Sequence, residues 1–412
     1  MIKSSYALII GCKFYLILQE DKGKPMTESS NAEERDPYRE LQEHLDQLPV
    51  PYPAMKSGVE ISILKRIFTP EEARIAARLQ FSWMEYESLE SISERVQDLG
   101  YSKEELEQLL DAMAEKGGLM TYQDQDGNKS YGSAMLVFGM FEFQVNRLTR
   151  GFAEDFHAYM KEGWAQEVNK VPVPQLRVVP IGATIDQHVA IFTYDDINKI
   201  LEEIEGPIMV TNCVCRQARD IVEKPCKNTA RREVCMGWGK GAEMYLKAGW
   251  GRSITKDEAL EILKQNEKEG MILQVSNSQH PEFLCSCCSC CDPILKFLKY
   301  LPTPASFTQS NYFAINDLDS CTGCGTCVER CQMMAITLVD DKASFDQNHC
   351  IGCGNCVAVC PSEAIHLART RWNTVPPENG KELYDRIWKE KNRLRELERK
   401  RKEKKSLKNV SE

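Results

Sequence analysis

Eight cysteines near the carboxyl end, spaced as two copies of one pattern, are the residues of this chain best suited to chemistry. Cys321, Cys324, Cys327 and Cys331 follow the spacing C-x2-C-x2-C-x3-C, and Cys350, Cys353, Cys356 and Cys360 repeat it 29 residues later, ending in Cys360-Pro361. Thiolates two residues apart can take successive corners of one iron–sulfur cubane if the backbone turns tightly between them. Gly323, Gly325, Gly352 and Gly354 stand where those turns are needed. After each set comes an apolar stretch of matching type, Ala335-Ile336-Thr337-Leu338 and Ala364-Ile365-His366-Leu367, so a structural unit is duplicated and not only a motif. Zinc or disulfides are the competing uses of cysteine, and eight thiols in this glycine-rich repeat suit four-ligand zinc sites poorly.

The repeat resembles a bacterial-type dicluster ferredoxin domain over residues 310–368. In two-cluster ferredoxins the fourth cysteine of each motif ligates the other cluster. The resemblance therefore implies one [4Fe–4S] cluster on Cys321, Cys324, Cys327 and Cys360, and a second on Cys350, Cys353, Cys356 and Cys331. Gln332 stands where the pattern has a proline after Cys331, a departure that removes no ligand.

A second group of cysteines lies upstream. Cys213, Cys215, Cys226 and Cys235 precede the dense run Cys285, Cys287, Cys288, Cys290 and Cys291. Adjacent cysteines cannot easily aim at one point, so two interleaved sets are expected. Cys285, Cys288 and Cys291 reproduce the cubane spacing, and the earlier four could supply remote ligands. A further iron–sulfur cluster, a zinc ion and buried thiols acting as small apolar residues all remain open for these nine. Arg216 beside Cys215 is expected to favour its thiolate.

The elements that must position these residues fall into an α+β multidomain chain. Residues 1–57 read as a polar extension. Its opening Met1–Leu18 is mildly apolar, with Ile9-Ile10-Gly11-Cys12 like a lipoprotein site but too short an apolar region for a working signal. Leu41, Leu45 and Leu48 mark a short helix that Pro49, Pro51 and Pro53 end. Capping boxes at Thr69/Glu72 and Ser102/Glu105 start helices over 69–81 and 102–116, with a shorter helix over 88–96 between them. Strands at 119–123 and 129–135 join through Asp126-Gly127 as a hairpin. Three helices and a hairpin resemble a winged helix-turn-helix over residues 58–140, and residues 141–164 read as a long helix completing a unit at 58–165. The middle unit, 166–305, has a βαβ-like rhythm and is expected to be an α/β domain: strands at 189–192 and 207–211 flank a helix at 194–204, and a capped helix at 255–268 precedes a strand at 271–275. Gly237-Trp238-Gly239-Lys240-Gly241 matches neither dinucleotide nor phosphate-loop spacing and reads as a loop. The ferredoxin unit spans 306–368, and a basic helical tail, 369–412, carries a partial stripe of Leu383, Ile387, Leu394 and Leu397 and is expected to be solvated, or else to dock an acidic partner.

Charge narrows the function. With 42% apolar residues the chain is globular, and its net −9 gives no general attraction to nucleic acid. The element that would enter a DNA groove, residues 102–116, carries Lys103 and Lys116 against Glu104, Glu105, Glu107, Asp111 and Glu115, a repulsive balance toward phosphates. Eighteen cysteines and a cluster motif favour a reducing, anaerobic cytoplasm, and no apolar run is long enough to span a membrane. These readings converge on an electron-transfer protein, or the electron-input subunit of a larger redox system, served by a ferredoxin or flavoprotein donor. A redox-sensing winged-helix regulator and an oxidoreductase acting on a small molecule through the middle domain are the alternatives. The arrangement of units resembles a group of iron–sulfur proteins of anaerobic bacteria.

Overall fold

Short capped helices build the amino-terminal part, as the capping residues dictate. A computed structural model of the chain describes residues 35–80, 85–182, 191–371 and 373–410. The extension up to residue 34 and residues 189–190 of the strand expected at 189–192 lie outside the described residues, and Ile191 and Phe192 are not in a strand. Helix Pro37–Leu45 opens on Asp36, whose carboxylate accepts the Tyr38 N–H. Both expected capping boxes form, starting Pro70–Ala76 and Lys103–Glu115. Helix Leu89–Arg95 lies between them, and helix Val59–Ile67 precedes them. That last helix escaped the sequence reading because Gly58 at its start offers no side-chain cap. The hairpin joins Leu119–Gln123 to Lys129–Ser133, and the two-residue strand Glu87–Ser88 pairs with its second arm.

The long helix expected over 141–164 is not continuous. Asn146 takes a left-handed backbone, φ 64°, and a helix begins only at Arg150, where Thr149 caps it, and runs to Tyr159. The apolar spacing of 141–145 instead serves an irregular segment whose Phe141, Phe143 and Val145 are buried.

The middle of the chain forms a six-stranded sheet in the spatial order Leu176–Val179, Ile272–Ser276, Phe283–Cys287, Glu233–Trp238, Ile208–Asn212, Arg252–Ile254. Every neighbouring pair is antiparallel, so the βαβ-like rhythm read from the sequence is not that of parallel strands joined by crossover helices. The connection from Ser276 to Phe283 is too short for a crossover and can only return the chain antiparallel. Gly237 to Gly241 is likewise no loop: the strand ends at Trp238 and helix Gly239–Lys247 follows directly. Side chains alternate across the sheet. Val210, Met236, Leu273, Val275 and Leu284 face helices Ile197–Glu203 and Lys256–Lys268 and make one core with them. The opposite face carries the cysteines.

The carboxyl-terminal helix, Gly380–Val410, is not a separate solvated arm over its whole length. Leu383, Tyr384 and Ile387 are buried in the same core as the amino-terminal helices. Among the described residues no helix is long and apolar enough to cross a membrane.

Candidate metal centres

The duplicated cysteine motif folds as two similar corners. Tyr312–Asn316 pairs antiparallel with Ile365–Arg369, and Ile336–Val339 with Lys342–Phe345, so both apolar stretches after the motifs are strands. Gly323 and Gly352 hold left-handed turns, φ 70° and 69°. A Cβ at Gly323 would stand 2.1 Å from the Asp341 carbonyl oxygen, and one at Gly352 would stand 2.2 Å from that of Tyr312. Only glycine fits there.

These turns gather the cysteines across the repeat. Cys321, Cys324 and Cys327 line one small cavity together with Cys360. Cys350, Cys353 and Cys356 line another together with Cys331. Donors reach the second set: the Ala314 and Ala335 amides lie 3.4 and 3.3 Å from Cys350 Sγ and Cys331 Sγ, and Asn355 Nδ2 lies 3.6 Å from Cys353 Sγ. Hydrogen bonds to sulfur stabilise thiolate and tune a cluster's potential. Burial pushes the Cys353 thiol up to about 12, so without a metal this sulfur would be protonated. The surroundings of the two sets differ. Cys324 is exposed, whereas the second cavity is walled by Ile272 of the central sheet.

Docking of the ferredoxin-like part onto that sheet uses side chains beside the cysteines. Gln332 accepts the Ser289 N–H at 2.8 Å and donates to the Gly270 carbonyl. The residue that departs from the family pattern is thus a clamp between the two cysteine regions. Arg330 donates to the Glu267 and Lys268 carbonyls at the end of helix Lys256–Lys268, where a cation also meets the negative pole of the helix. Asn355 donates to the Met271 carbonyl at 3.1 Å, and the Ile181 N–H to that of Cys353 at 3.2 Å.

The nine upstream cysteines divide, but not along their spacing. Cys226, Cys288, Cys290 and Cys291 converge, with all four Sγ atoms within 4.8 Å of one another. Measured pairs are 3.6 Å for Cys226 to Cys288, 3.8 Å for Cys226 to Cys290, 3.4 Å for Cys288 to Cys290 and 3.7 Å for Cys290 to Cys291. A tetrahedral ion with metal–sulfur bonds of about 2.3 Å sets its sulfurs about 3.8 Å apart. This set therefore has the dimensions of a single-ion site. Hydrogen bonds from Cys288, Cys290 and Cys291 hold the Cys226 thiol well below its usual range. Cys285, whose spacing suggests a shared cubane with Cys288 and Cys291, instead neighbours Cys235 and Cys287. Cys213 in turn neighbours Cys215 and Cys235.

Arg216 corrects a second expectation. Hydrogen bonding to Cys213 and burial raise the Cys215 thiol, so its sequence neighbour does not make it a thiolate. Successive residues of helix Val214–Ile221 point about 100° apart, and Arg216 points inward, fully buried. Its Nη2 donates to the Ser286 carbonyl at 2.9 Å and lies 3.7 Å from Cys288 Sγ. Burial opposes its charge, but Cys213, Cys288 and Cys235 outweigh that and raise its pKa.

Cys213, Cys215, Cys235, Cys285 and Cys287 line a chamber of about 710 Å³ between the sheet and the amino-terminal module. Phe138, Tyr245 and Tyr384 help to cover it, and Glu142 faces it, lifted by burial to about 7. Neither the chamber nor Glu142 was legible in the sequence, because the wall comes from segments far apart in the chain.

Residues 313–361 match the family model of the 4Fe-4S dicluster domain. No curated protein and no solved structure matches the chain. The carboxyl-terminal part of the protein therefore carries an iron–sulfur domain for at least one [4Fe–4S] cluster, and that domain points to a role in electron transfer.

Proposed function

We propose that the chain is an electron-transfer protein, or the electron-input subunit of a larger redox system, holding two [4Fe–4S] clusters. Cys321, Cys324, Cys327 and Cys360 would hold the outer one, and Cys350, Cys353, Cys356 and Cys331 the inner one. When bound, such clusters supply one-electron transfer. The observation that carries the reading is Ile272, which walls the inner cysteine set and stands directly opposite Cys287 across the sheet. Ile272, Cys287, Met333 and Ile351 share one buried cluster, and Cys285, Cys331 and Cys353 pack against it, so the ferredoxin-like cysteines and those of the middle region border the same core. Outer cysteines near the surface suit exchange with a ferredoxin or flavoprotein. Cys226, Cys288, Cys290 and Cys291 would hold one further metal ion, zinc or iron, whose tetrahedral sulfur set suits either.

The amino-terminal helices and hairpin, read as winged-helix-like, serve packing in this scheme: Phe138 stacks on Phe283 of the cysteine-bearing sheet, ring centres 4.5 Å apart. A second reading, an oxidoreductase acting on a small molecule, is favoured by the chamber alone, whose volume lies in the range of ligand pockets.

Anaerobic reconstitution of the full chain tests the cluster assignment. Cys321→Ser and Cys350→Ser should each remove about four irons and a different EPR signal, leaving the other cubane in place. Loss of both signals from either change would refute two separately held clusters.

A further inference from the structure

The five thiols of the chamber are set out by strand register. Thr211 stands opposite Cys235, and Met236 opposite Leu284, so the next step of that ladder brings Cys235 beside Cys285. Cys287 follows on the same face two residues on, and Cys213 two residues beyond Thr211. Two adjacent strands therefore present Cys235, Cys285 and Cys287 at one end of one face, and Cys213, just past the end of the third strand where it caps the following helix, neighbours Cys235 and, within that helix, Cys215.

Their spread differs from that of the other upstream set. Among the described residues, Cys226, Cys288, Cys290 and Cys291 are the group that closes to within 4.8 Å, and no three of the five chamber thiols do so. A single ion needs sulfurs about 3.8 Å apart all round. In a four-iron cluster each thiolate binds a different iron, and in a two-iron cluster two thiolates share each iron, so in either case the set as a whole spreads wider than around one ion, with inorganic sulfide between.

Charge argues that these thiols are not merely apolar filling. The Arg216 guanidinium is buried, and among the described residues no carboxylate pairs with it. Its Nε and Nη1 have no hydrogen-bond partner among the described residues, and the charges of Cys213 and Cys235 act on it as well as that of Cys288. A buried cation needs a counter-charge, and sulfur is the anion-forming element at hand. The four-thiolate ion site supplies part of that charge through Cys288 and Cys226, and Cys213 and Cys235 of the chamber act on the same cation.

We propose that Cys213, Cys235, Cys285 and Cys287, with Cys215 as the adjoining fifth thiol, hold a further polynuclear iron–sulfur cluster that faces the chamber. The proposal rests on the reading of the ferredoxin-like domain as the electron donor to this region. Cys287, opposite Ile272, is the ligand nearest that domain, and the chamber leaves the far side of the cluster open to a small molecule.

Acid-labile sulfide per full-length chain, after anaerobic reconstitution, tests it without any substitution. Two ferredoxin cubanes alone give about eight sulfides, and a further two-iron or four-iron cluster raises this to about ten or twelve. A value of about ten to twelve is expected. About eight would overturn this proposal and leave the ferredoxin reading standing, whereas about four or fewer would end both. The double variant Cys235→Ser/Cys285→Ser should lower sulfide to about eight and keep both ferredoxin EPR signals. A variant with those signals intact and the full wild-type sulfide would likewise overturn the assignment.

Discussion

Gln332 shows how one departure from a motif can carry structural meaning. A proline at this position could neither accept the Ser289 N–H nor donate to the Gly270 carbonyl; the first bond joins the inner cysteine loop to the upstream cysteine run and the second to the turn after helix Lys256–Lys268. Gln332→Ala would leave both backbone groups without their partner, at a cost of roughly 1–3 kcal/mol. Since Gln332 is no ligand, iron content should stay at the wild-type level while the Ser289 amide exchanges its hydrogen faster by about tenfold or more. Unchanged exchange at Ser289 would show that the clamp adds nothing to the joint. The cysteine groups differ in how far the sequence revealed them. The grouping of the carboxyl-terminal eight was legible because each motif is local and its glycines fix the turns. The upstream nine were not, because Cys226 reaches Cys288 across 62 residues and strand alternation sends Cys287 and Cys288 to different sets. Arg216 misled for the same reason, since adjacency in a helix is not adjacency in space.

Helices with capping boxes start where they were read, and Lys103–Glu115 also ends there, whereas Pro70–Ala76 stops short of the expected 81. Tertiary pairing decided the rest. A βαβ rhythm describes the order of elements but not strand direction, and the Gly239–Lys247 helix lacks any capping side chain to announce it. The terminal helix is the clearest example of context overriding pattern. Its first turns bury Leu383 and Ile387, and Lys391, only 3% exposed, donates to the Asp46 carbonyl at 2.9 Å and to that of Leu48. Arg395 adds a two-pronged contact with the Asp46 carboxylate at 2.9 and 2.8 Å. Burial first, then the neighbouring Arg395, lower the Lys391 pKa to about 7. Because the folded value lies below that of the unfolded chain, unfolding takes up a proton between about pH 7 and pH 10.5, and stability from this group rises with pH there. Lys391→Met has no such group. Urea denaturation should therefore show wild type gaining on Lys391→Met between pH 7 and pH 9.5, by up to about 1 kcal/mol per pH unit. A difference independent of pH would place the lysine in its charged form throughout.

Charge divides the protein between its docked body and the distal end of that same helix. Residues 397–410 carry seven Lys or Arg against two Glu, in a chain whose total is −9. Side chains from Leu397 to Ser406 are exposed, so this end contributes little burial and folds as a continuation of the docked turns. In the proposed reading, the outer cysteine set, with Cys324 exposed, offers the surface for electron exchange. A basic arm on an otherwise acidic body favours an acidic redox partner by steering, which changes the rate of encounter more than the chemistry. Truncation after Glu396 separates these roles. Iron and sulfide content and the denaturation midpoint should match those of the full chain, because no cysteine is removed and the side chains from Leu397 to Ser406 are exposed. Reduction by an acidic ferredoxin at low ionic strength should slow by roughly tenfold, and the gap should close as salt is raised past about 0.15 M, where screening shortens the reach of exposed charges to about 8 Å. A truncated protein reduced at the full-chain rate at every ionic strength would assign the arm no part in partner capture, and one that lost its clusters would make the distal turns part of the fold.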